Sequence, residues 1–243
     1  MELPAELGDG LRLRLYPFGD AAVMAEVAGG SADSRPRAAA AVRSALLADL
    51  PVGVLDLVAG IESVLVEFDA DRVDHEVVEV GLRAALALRL DGVLHGAGTG
   101  TTLDVPVVFG GEFGPDLDDV ARELGLDPEE VVARFTARPL TVTLLGAAMA
   151  PMLEGADFPA PVARMSMPRT SVPGGSVMVA GNATIITPFP GPTGWRVIGR
   201  TPLAVCDITR DPATSYAAGD ALHFRPLPPQ DWPALDGRFL GAA

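Results

Sequence analysis

Residues 11–16 alternate apolar side chains with arginine, the period-two pattern of a strand that buries one face. Phe18-Gly19-Asp20 turns the chain into a second run at 21–27. Residues 38–50 are rich in alanine and leucine, both strong helix formers. Ser34 is the candidate cap of that helix, Pro36 lies in its first turn and Pro51 stops it. Two further β-type runs occupy 52–58 and 63–68. Asp71 is placed to cap a second helix, whose stripe of Val73, Val77, Val80, Ala84 and Leu88 recurs at helical spacing. The order ββαββα predicts an α+β domain over residues 1–92, a sheet covered by two helices.

Residues 91–102, rich in glycine and threonine, form the candidate linker. A strand is predicted at 101–109, then the loop Gly110-Gly111-Glu112-Phe113-Gly114-Pro115 and a helix over 116–124 with acidic residues in its first turn. Asp127-Pro128-Glu129-Glu130 has the spacing of a capping box and opens a helix reaching about Thr136. After a strand at 139–145 the densest β punctuation comes between Pro168 and Thr201. Short apolar runs at 176–180, 183–187 and 195–199 lie between Pro173-Gly174-Gly175, Gly181-Asn182 and the proline-rich 188–192. Gly181-Asn182 suits a two-residue hairpin, since both residues tolerate positive φ. A mostly β domain over 101–227 follows from this pattern. The remainder, 228–243, is too proline-rich for a regular element and is expected to be a loose tail.

Charge narrows the function. The 243 residues carry a formal charge of −14 with pI about 4.5, which excludes the basic face that nucleic acid demands. No polybasic segment addresses an anionic membrane, and no apolar run approaches the roughly 18 residues of a spanning helix. All 18 basic residues are arginine, so this chain supplies no Schiff-base or phosphate-loop lysine. Cys206 is the single cysteine, which rules out an internal disulfide and a thiolate zinc cluster. His75, His95 and His223 lie in no ligand spacing, so no metal site is predicted, and His75 is expected to be solvated on its helix. With no signal-peptide pattern at the start, a soluble cytoplasmic protein is expected.

In so acidic a chain, Arg169, Arg196 and Arg200 on a tight β scaffold are candidate anion contacts, their guanidinium groups being shaped to grip carboxylate or phosphate. Each has a structural ion pair as its alternative reading. Gly174-Gly175-Ser176 lacks the frame of a nucleophile elbow, and Asp116, Asp118 and Asp119 read as helix-start charges. Met149, Met152, Met165, Met167 and Met178 are concentrated in one region, which suits an adaptable partner surface or core filling.

Pro168, Arg169, Val172, Pro173, Gly175, Ser176, Val177, Ala180 and Gly181, then Gly194-Trp195-Arg196, Ile198-Gly199-Arg200-Thr201-Pro202, and the loop from Gly110 to Leu117 together resemble one family. It is known variously as the B-type subunit of 5-oxoprolinase, allophanate hydrolase subunit 1 or sporulation-kinase inhibitor. The resemblance implies a small α+β N-terminal domain followed by a cyclophilin-like β-barrel. It implies one component of an ATP-dependent hydrolase that cleaves a cyclic or ureido amide, inactive alone. Its active site would be shared with a carboxyltransferase-like partner, allophanate hydrolase subunit 2 (the C-type component of 5-oxoprolinase). ATP would belong to the complex and need not touch this chain. On that reading Arg169 and Ser176 are the catalytic candidates. Arg200, Gly175 and Arg196 are the substrate-binding ones, with guanidinium groups on the substrate carboxylate or a phosphorylated intermediate and Gly175 backbone near developing negative charge. The family's other known role implies an alternative, a non-catalytic regulator that binds and inhibits a sensor histidine kinase. The chain departs from the family pattern at 146–153, where an aromatic loop is replaced by GAAMAPML, at Phe135, where a histidine is usual, and at 183–187.

Overall fold

The structure is a computed structural model that describes residues 2–6, 10–31, 34–95 and 100–241. It divides into two units, 1–99 and 100–243.

In the first unit, β1 (Glu2–Glu6), β2 (Leu11–Pro17), β3 (Ala22–Gly29), α1 (Ser34–Leu47), β4 (Val54–Ala59), β5 (Ser63–Phe68) and α2 (His75–His95) follow in chain order. The strands form one sheet in the order β1-β2-β3-β5-β4, antiparallel throughout. Alternation does what it predicts on β2: Leu11, Leu13 and Leu15 are buried, while Arg12 and Arg14 are exposed. The edge strand β1 had no signal of its own and takes its order from pairing with β2.

Both helix starts lie away from the predicted caps. Ser31 and Ser34 bond reciprocally, each Oγ accepting the other's backbone N–H at 2.9 and 3.1 Å, so Ser31 caps α1 with Ser34 as its return partner. Asp74, rather than Asp71, accepts the Val77 N–H at the start of α2. The α2 stripe is also rotated. Val78, Leu82, Ala85 and Leu86 are buried, whereas Val77, Val80 and Leu88 are exposed, Leu88 at 80%. This helix is apolar almost all round, so spacing alone fits two stripes one residue apart, and contact with α1 and the sheet decides between them. His75 is not simply solvated: its Nε2 lies 3.1 Å from the Gly19 carbonyl and its ring meets Phe68 edge-on at 4.9 Å. Of the expected linker, 91–95 continue α2, and 96–99 lie outside the described residues.

The second unit contains β6 (Thr102–Phe109), α3 (Leu117–Leu124), α4 (Pro128–Thr136), β7 (Leu140–Leu145), β8 (Pro151–Glu154), β9 (Arg169–Val172), β10 (Ser176–Ala180), β11 (Ala183–Ile186), β12 (Gly191–Thr193), β13 (Arg196–Arg200), β14 (Ala221–Pro226) and α5 (Trp232–Leu235). Seven strands close into a barrel, β10-β11-β8-β7-β14-β6-β13, which leaves no open edge. Pairing is antiparallel except between β6 and β14. The protein is thus an α+β unit followed by a mostly β barrel unit. Inside the barrel, Val105, Val107, Val177, Val179, Ile186, Ile198 and Phe224 pack with Phe135 of α4.

Every residue of β10 is buried because both its faces are covered. One points into the barrel. The other lies under a two-stranded ribbon of β9 and β12, where Val172, Met178 and Val197 pack with Ile185 and Trp195. The β10–β11 hairpin forms as predicted, but only Gly181 takes positive φ, at 59°; Asn182 does not. At α4 the predicted cap box is half realised: Pro128 occupies the first turn, yet Asp127 makes no side-chain cap bond and Glu130 pairs with Arg134.

The described part of the tail, 228–241, is tied down rather than loose. A 3₁₀ turn at Pro229–Asp231 leads into α5, and Ala204 N–H donates to the Arg238 carbonyl at 2.8 Å. Leu240 N–H donates to the Ala204 carbonyl at 2.9 Å, and its side chain is 1% exposed in the barrel core. Prolines prevent a long regular element, but they leave enough N–H groups to dock the segment along 202–204.

The rotated register of α2 is open to direct test. Leu82→Ala should cost about 2–5 kcal/mol in urea unfolding, and Leu88→Ala should stay within about 0.5 kcal/mol. Equal losses would contradict the register.

Candidate functional site

Three chain segments converge on a cleft of about 200 Å³ whose lining includes Glu112, Phe113, Arg169, Ser171, Ser176 and Arg200. They are the β6–α3 loop, the β9 strand with its turn into β10, and the end of β13. All three carry the residues on which the family resemblance rests.

The β6–α3 loop lies against β13. Gly110 N–H donates to the Ile198 carbonyl at 3.1 Å, and Gly114 N–H returns to the Gly110 carbonyl at 2.9 Å. Gly114 has to lack a side chain here, since a Cβ would collide with the Ile198 carbonyl. This approach delivers Asp116 into the interior, 3% exposed, just ahead of α3. Asp116 makes no side-chain cap bond. Its Oδ2 and Oδ1 instead accept from the two terminal nitrogens of Arg169 at 2.6 and 2.8 Å, and Oδ2 also accepts the Val197 N–H at 2.8 Å. The backbone closes the arrangement, with Asp116 N–H donating to the Val197 carbonyl at 3.0 Å.

Arg169 is therefore clamped by a buried carboxylate, and its guanidinium pKa is raised by that hydrogen bond. It stays charged at any working pH, with that charge balanced. Met165 Sδ lies 2.9 Å from the same guanidinium. Of the two readings open to Arg169, the geometry has the structural ion pair formed, while the side chain stays 30% exposed and is part of the cleft lining.

Ser176 is 1% exposed, and its Oγ donates to the Pro173 carbonyl at 2.7 Å, locking the turn into β10. No base accepts its proton among the described contacts. Gly175 takes φ 79°, and a Cβ there would strike the Thr201 carbonyl. Its N–H already donates to the Thr187 carbonyl at 2.7 Å, so that donor is engaged within the barrel. Arg196 does not line the cleft. It lies over α3, 3.8 Å from Asp119 and 3.9 Å from Glu123.

Arg200 differs from the other two. Its Nε donates to the Gly174 carbonyl at 2.9 Å, and its guanidinium lies 5.0 Å from the Trp232 ring centroid. Among the described residues no carboxylate forms an ion pair with it. Arg200 thus offers the cleft an oriented, uncompensated cation, with the exposed carboxylate of Glu112 in the same lining.

Sequence reading identified Arg169, Ser176 and Arg200 but missed Asp116, Glu112, Phe113 and Trp232. Asp116 looked like any acidic helix start, because its partner lies 53 residues away. Trp232 sat in the segment expected to be loose, and its being one of only two tryptophans was the available signal.

The departures from the family pattern also have structural consequences. Phe135 is fully buried and packs on Phe224, Phe109 and Phe158, with ring centroids 4.8, 5.9 and 6.2 Å away, so it serves the core. Residues 146–150 form the tight turn between β7 and β8, in which Ala148 and Met149 take φ of 55° and 64°, and 151–153 begin β8. These are the only non-glycine positive φ values among the described residues. The buried Tyr216 hydroxyl holds that tip by donating to the Met149 carbonyl at 2.9 Å, and burial raises its pKa. Of the five methionines, Met178 fills the cluster under the ribbon, while Met149 and Met167 are exposed. No group of His, Cys, Asp or Glu suited to a metal ion occurs among the described residues, and no described helix is long and apolar enough to cross a membrane.

Residues 13–216 match the model of the carboxyltransferase domain, subdomain C and D, and the chain belongs to that family. It is similar to the B-type subunit of 5-oxoprolinase from Bacillus subtilis (strain 168), at 41% identity over 133 residues, covering 54% of this chain and 55% of that protein. The corresponding protein of Haemophilus influenzae, named in the same way, is 38% identical over 126 residues, covering 51% and 59%. The chain thus spans little more than half the length of these relatives. Among solved structures, TTHA0988 superposes with a TM-score of 0.69 at 30% identity, over 86% of this chain and 40% of that one. PH0987 from Pyrococcus horikoshii gives 0.54 at 29% identity, over 90% and 100%. The urea amidolyase of K. lactis shares the fold, at 17% identity and a TM-score of 0.70, over 96% of this chain and 16% of that enzyme.

The clamp on Arg169 predicts the effect of a charge-conserving change. Arg169→Lys cannot span both carboxylate oxygens and should cost roughly 1.5–3 kcal/mol in denaturant unfolding. Unchanged stability would show that the second hydrogen bond is dispensable.

Proposed function

We propose that this chain is the 5-oxoprolinase-type component of an ATP-dependent complex that cleaves a small cyclic or ureido amide, and that its cleft is one part of a site completed by a carboxyltransferase-like partner. The observation that carries the reading is the meeting of the three family-matched segments at one cleft, where Arg200 is oriented but unpaired. At about 200 Å³ the space suits a ligand below drug size. Its chemistry suits a molecule with an oxoanion at one end and an amide N–H at the other. Arg200 grips the oxoanion through its planar fork, and Glu112 accepts from the N–H. Both 5-oxoproline and allophanate have that pattern. Arg169 supports the wall instead of binding the ligand, and Ser176 fixes the turn that presents Gly174 to Arg200. ATP and the partner supply what the cleft lacks, namely activation of the amide oxygen and a proton-transfer group. The relatives named as 5-oxoprolinase components support this assignment.

The test is co-expression with a protein resembling allophanate hydrolase subunit 2, then an ATP-hydrolysis screen over cyclic and ureido amides with the remaining component added. Amide-dependent ATP turnover is expected only with the partner present. Arg200→Ala should lower kcat/KM at least about tenfold, roughly 1.4 kcal/mol. Failure of the partner to co-purify, or full turnover by the variant, would overturn the assignment. Capture of a sensor kinase with no amide-dependent turnover would favour a regulatory role.

A further inference from the structure

The geometry points to Trp232 as the residue that positions Arg200, which makes the C-terminal strap, residues 228–241, a functional part of an oxoanion site. The inference rests on reading the cleft as a ligand site, and it goes beyond that reading by assigning a role to a segment outside the family-matched residues 13–216.

Trp232 does not line the cleft; it lies behind two residues that do. The Arg200 guanidinium lies 5.0 Å from its ring centroid, and the Phe113 ring packs against it at 4.9 Å with planes 38° apart. The indole N–H donates to Asp236 Oδ1 at 3.1 Å, which fixes the rotation of the ring. Around it the strap is anchored to the residues just after Arg200. Gly237 N–H donates to the Pro202 carbonyl at 3.0 Å, Ala204 N–H to the Arg238 carbonyl at 2.8 Å, and Leu240 enters the barrel core. The strap is therefore docked on the residues that follow β13, which holds Trp232 beside Arg200.

A free arginine side chain samples many rotamers, and ordering it opposes binding. Here the Gly174 carbonyl holds Nε, and the indole face holds the guanidinium by cation–π attraction. An aromatic face orients a cation without neutralising it, unlike the carboxylate that clamps Arg169. The two terminal nitrogens of Arg200 are left for two oxygens of an external oxoanion, carboxylate or phosphoryl. In a chain of net charge −14, long-range attraction does not bring an anion in, so such local preorganisation has to supply the affinity.

The test uses the isolated chain and two probes, inorganic phosphate and acetate, in ligand-observed NMR titrations at constant ionic strength, with melting temperature recorded for each variant. Wild type should bind at least one probe saturably, and Arg200→Ala should abolish that binding. Trp232→Leu keeps apolar bulk but removes the π face and should weaken binding about fivefold or more. Trp232→Phe keeps a ring face and should stay within about twofold of wild type. A purely structural Trp232 would lower the melting temperature while leaving the dissociation constant unchanged. Leucine binding as tightly as tryptophan, or a wild-type chain that binds neither probe, overturns the inference. Which probe binds more tightly identifies the oxoanion as carboxylate or phosphoryl. Because no partner, ATP or turnover enters the titration, its outcome is independent of whether the complex cleaves an amide.

Discussion

A buried carboxylate organises the barrel unit's cleft. Burying an ionised Asp costs several kcal/mol unless partners replace the lost water. Asp116 finds three hydrogen bonds, two from Arg169 and one from the Val197 amide. Those bonds fix the start of α3, the ribbon strand β9 and the barrel strand β13 relative to one another. Every wall of the cleft lies on, or directly next to, one of those elements. The same bonds determine which arginine is available, because they balance the charge of Arg169 and leave Arg200 to meet an anion.

Backbone geometry makes this arrangement possible. The loop entering α3 packs main chain against main chain, which only a glycine at 114 permits, and the turn into β10 needs Gly175 at positive φ against the Thr201 carbonyl. Neither glycine touches a ligand in this account. They let the loop and turn come close enough for Asp116 to reach β13 and for Gly174 to reach Arg200. The aromatic side chains divide in the same way. Phe135 serves the core, while Phe113 lines the cleft and packs on Trp232, which backs it.

Legibility in the sequence followed the range of the interactions. Alternation on β2 and the two-residue turn between β10 and β11 are local, and both are readable in place, although only Gly181 of the turn takes positive φ. Helix caps were harder. Spacing points to Ser34 as the cap of α1, and only its mutual bonds with Ser31 show that Ser31 holds that place, while α2 carries so many apolar residues that its buried face is set by α1 and the sheet, not by its own spacing. The tail misled for a related reason: prolines exclude regular elements without excluding docking, and Leu240 is held by residues 202–204. In the site, arginines on a β scaffold could be recognised as anion ligands or ion-pair partners. Which of the two each became depended on Asp116, Asp119, Glu123 and Trp232, all distant from them in sequence.

The central claim is that Asp116 and Arg169 act as one unit that builds the cleft. A double-mutant cycle measures this most directly, with Asp116→Asn, Arg169→Met and the pair compared by urea unfolding. A coupling of about 2 kcal/mol or more is predicted, near the upper part of the range for contacting residues. Single-mutant losses that add to within about 0.5 kcal/mol would mean that the two side chains are neighbours without being partners, and would contradict the account.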